Sequence, residues 1–186
     1  IHILETMTPA EFTQFRYRLK PASGFQSAQF REIEFVCGLK NPRYLNFFKN
    51  DPEMTQRLEH RLNAPDLRQV YYEMLLKLGF DLPTDKTIPE LLVDEERYDE
   101  VIRVLLPVYQ DPEHNLPLYL LTESLVSLDQ SLALWREHHV RVVERIIGFK
   151  RGTGGSSGVG YLQTTLGKKC FPMLWDIRTM LEEQNA

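Results

Sequence analysis

Eight positions between Leu121 and Ile146 constrain this chain more than any other feature. Leu121, Leu125, Leu128, Leu132, Trp135, His139, Val142 and Ile146 follow one another in steps of 4, 3, 4, 3, 4, 3 and 4. That recurrence marks one face of an α-helix, and a stripe this long is expected to form a seam against other helices. The spacing predicts a helix from about Pro117 to Ile147. His139 is the one polar member of the stripe. Its neighbour His138 falls off it and is expected at solvent or at a rim.

The rest of the sequence reads the same way. Thr8-Pro9-Ala10-Glu11 is a helix start, with Thr8 as N-cap, Pro9 at the first helical position and Glu11 placed to complete a capping box. That helix is expected to reach about Leu19 and stop before Pro21. Further helices are expected over about 25–37, 42–49, 52–62, 65–78, 94–108, 159–168 and 171–181, with a polar stretch at 81–93 left without one. No strand pattern competes, so the predicted fold class is an all-α helical bundle. The length of 186 residues suits one domain over 1–186.

Composition narrows the function classes. A net charge of −4 argues against a general nucleic-acid binder, which needs a basic face. No apolar run approaches the roughly 18 residues of a membrane span. Cys37 and Cys170 are far apart in sequence with no C-x-x-C, so a reducing cytoplasm is the expected setting. The opening "IHILETMTP" has neither a methionine nor a signal-like pattern, and it reads as the end of an earlier element. The expectation is a piece of a longer protein.

Five of the ten glycines fall in Gly152–Gly160, within "FKRGTGGSSGVGY". This is not a P-loop, because Lys150 and Arg151 precede the glycines and no G-K-[ST] closes them. The dinucleotide fingerprint G-x-G-x-x-G also fails, since Ser157 stands where its last glycine would be. His139 has two readings: a neutral core histidine with both nitrogens bonded, or an axial ligand to haem iron. Zinc is disfavoured, because no second His or Cys stands three or four residues from His139. Arg16 shares a helix face with Phe12, Phe15 and Leu19. It is either a snorkelling or ion-paired side chain, or a fork that clamps a carboxylate. Glu95-Glu96 and Glu182-Glu183 read as solvated helix faces, and Ser156 and Ser157 lack a nucleophile elbow.

Four segments, in order, carry a resemblance: "LETMTPAEFTQFR" (4–16), "PASGFQSAQFREIEF" (21–35), "LWREHHVRVVERIIGFKRGTGGSSGVGYL" (134–162) and "CFPMLWDIRTML" (170–181). Together they closely resemble the tryptophan 2,3-dioxygenase family, over about Leu4 to Leu181. The resemblance implies a helical haem-binding domain of the tryptophan/indoleamine dioxygenase type. It implies that haem b and O2 add both oxygen atoms across the indole C2–C3 bond of L-tryptophan, giving N-formylkynurenine.

By position, His139 matches the family's proximal haem ligand and Arg16 the arginine that grips the substrate carboxylate. Phe12 matches an aromatic residue against the substrate, and Thr153 a threonine at its ammonium and carboxylate end. Ser23 and Gly24 match a turn at the distal haem face. The glycine-rich run would then be a lid that orders around an amino acid. The resemblance also implies a homotetramer, a dimer of dimers, with no nucleic-acid or membrane partner. The family's distal histidine belongs to an N-terminal part with no counterpart in these residues, so no further catalytic group is expected here. Two alternatives remain: a dioxygenase of a modified tryptophan or other indole, and a helical assembly fragment without catalysis.

Overall fold

The computed structural model describes residues 5–19, 28–150 and 158–183, and the regular structure among them is entirely helical. The helices are α1 (Pro9–Leu19), α2 (Ala28–Val36), a 3-10 segment (Pro42–Phe47), α3 (Pro52–Asn63), α4 (Leu67–Lys77), α5 (Ile88–Leu91), α6 (Glu95–Gln110), α7 (Leu116–Ile147), α8 (Val159–Gln163) and α9 (Pro172–Glu183). No helix among the described residues is long and apolar enough to cross a membrane.

Local chemistry accounts for most of these boundaries. Before α1, the Thr8 amide and hydroxyl both donate to Glu11 Oε2 at 2.8 Å, and the Glu11 amide donates back to Thr8 Oγ1 at 3.3 Å. The predicted capping box is therefore formed. Asp66 starts α4 in the same manner, accepting from the amides of Arg68 and Gln69 while its own amide donates to Gln69 Oε1. After α2, Gly38 adopts φ +88°, and a Cβ there would stand 1.9 Å from Arg68 Nε. Only glycine fits beneath that guanidinium.

The structure corrects three expectations. The 81–93 stretch contains a one-turn helix, α5, because Thr87 and Glu90 form the same reciprocal cap as Thr8 and Glu11. Helix α8 stops at Gln163 rather than near 168. There the hydroxyls of Thr164 and Thr165 donate back to the carbonyls of Tyr161 and Leu162, both at 2.7 Å, and a turn follows.

The third correction concerns the stripe on α7. Leu125, Val142 and Ile146 are buried as expected, but Leu121, Leu128 and Trp135 are 40, 37 and 39% exposed. The enclosed line lies one residue on, through Thr122, Val126, Asp129, Arg136 and Val140. Three of those are polar, and each has a partner: Thr122 with Tyr71, Asp129 with the start of α9, and Arg136 with the Lys168 carbonyl. Polar groups that find partners can occupy a core, and hydrophobic spacing alone does not register them.

The chain groups into two compact units, Ile1–Glu32 with Pro42–Glu59 and Gln130–Lys169, and Ile33–Asn41 with His60–Asp129 and Cys170–Ala186. Helix α7 contributes its residues through Asp129 to the second unit and those from Gln130 to the first. Polar and aromatic contacts tie the first unit together. Arg57 clasps Glu32 through Nε and Nη2 at 2.5 and 2.9 Å, and the Arg31 guanidinium lies 4.0 Å over the Tyr44 ring. The second unit has an aliphatic core that includes Leu75, Leu91, Ile102, Leu105 and Ile177, each at most 2% exposed. Burial of each such side chain stabilises by about 1.5–3 kcal/mol. Along its α6–α9 contact, Tyr98 Oη donates to Asp176 at 2.6 Å. Arg178 Nη2 donates to Glu123 at 2.6 Å, and Glu123 also accepts from Tyr109.

Candidate functional site

Of the residues singled out in the sequence, Phe12 and His139 are described in full, and both belong to the first compact unit. Arg16 lies one turn beyond Phe12 on α1, but its side chain is outside the described residues, as are Ser23, Gly24 and Thr153. Phe12 is half-buried and meets Phe15 with ring centroids 6.4 Å apart, tilted by 53°.

The two adjacent histidines of α7 differ sharply. His138 is exposed and pairs through Nε2 with Glu5. His139 is mostly enclosed. Its Nδ1 is buried and has no hydrogen-bond partner among the described residues. Burial holds its pKa below the usual histidine range, so the ring is neutral at pH 7. A core histidine would bond both nitrogens, and this one does not. Its ring faces instead an aromatic wall. Trp135, one turn earlier on α7, stacks on it with centroids 5.1 Å apart and planes 10° from parallel. Phe30 of α2 stacks on Trp135 in turn, at 4.5 Å and 28°.

The sequence reading did not single out this stack. The Trp135–His139 spacing of four was legible, being two steps of the same stripe. Spacing with Ile33 and Cys37 marks Phe30 for a buried face of α2, although Ile33 is 45% exposed, but its partner on α7 depends on how the two helices meet.

The other described histidines and the two cysteines sit in different surroundings. His60 is exposed, and His114 is exposed with Nδ1 2.9 Å from Asp111 Oδ1. Cys37 and Cys170, distant in sequence, are both buried, and their thiols share a hydrogen bond. That bond, with burial and the nearby Asp129, pushes the Cys170 thiol well above its ordinary value. Cys170 is therefore an inert, protonated thiol. Among the described residues no cluster of three or more His, Cys, Asp or Glu is placed to hold a metal ion. Among the described residues, His139 therefore has no second protein donor beside it. Two cavities in the second unit, a small one of about 40 Å³ against Tyr71 and Phe171 and a groove of about 400 Å³ against Leu78 and Leu121, have neither Phe12 nor His139 in their walls.

Comparison with known proteins completes the picture. A family model described as tryptophan 2,3-dioxygenase matches residues 1–82 and 97–181. A tryptophan 2,3-dioxygenase of Bacillus thuringiensis (strain Al Hakam) is 44% identical over 179 residues, 96% of this chain and 64% of that protein. One from Bacillus anthracis matches to the same extent. One from Xanthomonas oryzae pv. oryzae (strain PXO99A) is 43% identical over 177 residues, covering 95% of this chain and 60% of the relative. The chain thus spans somewhat less than two thirds of the length of these relatives.

Proposed function

The chain belongs to the tryptophan 2,3-dioxygenase family, and from that premise we propose that it is the haem-holding, substrate-clamping part of such an enzyme. The reaction in this reading inserts both atoms of O2 across the indole C2–C3 bond of L-tryptophan to give N-formylkynurenine, the opening step of tryptophan catabolism. Residues 1–186 act as one haem dioxygenase domain, in a cytoplasmic homotetramer built as a dimer of dimers.

The observation that carries the reading is His139. A neutral imidazole set against an aromatic wall is suited to donate one nitrogen to haem iron, and this supports the ligand reading. The donor chemistry fits haem, which needs a single protein nitrogen on its proximal side. Nε2 is the nitrogen available for it, since Nδ1 is the enclosed one. When bound, haem supplies the iron at which O2 is activated.

The chain's own residues bind and orient. Arg16 grips the substrate carboxylate with a bidentate fork, and Thr153 takes the ammonium and carboxylate end. Phe12 would cover the indole, and Ser23 and Gly24 would complete the substrate site. Holding both ends of the amino acid fixes C2 and C3 in one orientation. Enclosing the site keeps water from the reacting atoms.

The test is a haem titration of the full chain followed in the Soret region, with and without L-tryptophan. A stoichiometric band that shifts with tryptophan and is lost in His139→Ala is the expected result. If no stoichiometric band forms, even with the segment of a Bacillus relative that this chain does not match, the haem reading fails.

A further inference from the structure

Histidines that bind metals are almost always steered by a second hydrogen bond, from the other ring N–H to a carboxylate, a carbonyl or water. His139 has no such protein partner among the described residues, because its Nδ1 is enclosed and unpaired. A flat stack takes that place: Trp135 lies 10° from parallel with the imidazole, and Phe30 backs Trp135 from a different helix. We propose that Trp135 is a positioning residue for the haem ligand, fixing the plane of the His139 ring by stacking where a hydrogen bond would ordinarily do so. This inference rests on the haem-ligand reading of His139.

Stacking constrains the ring differently from a hydrogen bond. It restricts rotation about the Cβ–Cγ bond, because turning the imidazole out of the indole plane loses the face-to-face contact. It also leaves the Nδ1 proton in place. A carboxylate partner would draw that proton away and make the ligand more basic. With an indole face beside it, the imidazole stays a neutral donor, which favours the reduced, ferrous state of the iron. Phe30 anchors the wall from α2, so the orientation does not depend on α7 alone.

The test compares wild type, Trp135→Phe, Trp135→Leu, Phe30→Leu and His139→Ala, all as full chains loaded with haem. Trp135→Leu is expected to raise the haem dissociation constant about tenfold, the low end for losing a steering group of a metal ligand. It is also expected to broaden the Soret band and lower the midpoint potential. Trp135→Phe keeps a stacked ring and is expected to stay near wild type in all three. Helicity by circular dichroism should not change, because Trp135 is 39% exposed and its truncation leaves no closed cavity.

If Trp135→Leu matches wild type in affinity, band shape and potential while His139→Ala loses haem, the positioning role is wrong and the ligand stands. If His139→Ala binds haem as wild type does, the ligand reading falls and this inference falls with it. Should Trp135→Leu not fold, Phe30→Leu carries the test. It loosens the wall from outside α7, and an unshifted potential and band shape there would overturn the proposal.

Discussion

Asp129 and His139 stand ten residues apart on the same helix and treat their polar atoms in opposite ways. Asp129 is 1% exposed and accepts from the amides of Cys170 and Phe171 and from Trp175 Nε1, all at 2.9–3.0 Å. His139 buries Nδ1 and gives it no partner among the described residues. An enclosed carboxylate that meets three donors is architecture: it holds the chain entering α9 against the middle of α7. An enclosed imidazole with an unmet nitrogen costs about 1–3 kcal/mol and persists where function requires it. The contrast is between these two side chains: the carboxylate of Asp129 builds the fold, and the imidazole of His139 is left for the proposed haem role.

If that separation is right, the largest loss of stability should come from Asp129. Asp129→Ala leaves three enclosed donors without an acceptor and is expected to destabilise by about 4 kcal/mol. Urea denaturation measures it. Asp129→Asn, which keeps one carbonyl acceptor, is expected to lose about half as much. A loss below about 1 kcal/mol in the alanine variant would show that the carboxylate is not the organising group, and the contrast would collapse.

Arg16 should behave in the reverse sense. Arg16→Ala is expected to weaken tryptophan binding by about 3 kcal/mol, the scale of removing a buried charge's partner. Its unfolding free energy should stay within about 0.5 kcal/mol of wild type, because in this reading Arg16 binds the substrate rather than holding the fold. Tryptophan titration of the haem-loaded chain reads the first quantity and urea denaturation the second. Unchanged tryptophan affinity would remove Arg16 from the site.

The same distinction explains what the sequence could and could not convey. The helices at 9–19, 52–63, 67–77, 95–110 and 116–147 follow from apolar spacing, caps and prolines, all of which are local. That His139 is the more enclosed of the two adjacent histidines also followed from spacing alone. The exposed Leu121, Leu128 and Trp135 did not follow, because Thr122, Asp129 and Arg136 claim the core by hydrogen bonds to residues 32–51 positions away. Helix α5 was legible and overlooked, since Thr87 and Glu90 repeat the cap of Thr8 and Glu11. The Phe30–Trp135–His139 stack lay beyond reach, as one of its rings comes from another helix. The proposed roles of Arg16 and Thr153 rest on the match to a family, because neither spacing nor charge distinguishes a clamp from a surface residue.

Tyr71 gives the smallest and sharpest test of the satisfied side. Its hydroxyl lies 2.7 Å from Thr122 Oγ1 in the core, and Thr122 also donates to the Leu118 carbonyl at 2.8 Å. Tyr71→Phe therefore removes one hydrogen bond without stranding Thr122, and should cost about 1 kcal/mol at neutral pH. The alkaline limb is more telling. Burial pushes the Tyr71 pKa up from 10.0 to about 12. Between those values the unfolded phenol ionises while the folded one stays neutral, so the unfolded state binds fewer protons and stability falls as pH rises. The contribution is fully present below pH 10 and lost on the way to 12, at up to about 1.4 kcal/mol per pH unit. Tyr71→Phe should flatten that fall by one tyrosine's share, so the variant and wild type converge as pH increases and cross before pH 12. Parallel curves from pH 8 to 12 would mean that Tyr71 reaches water, and the enclosed Tyr71–Thr122 pair would then lose its place among the satisfied groups.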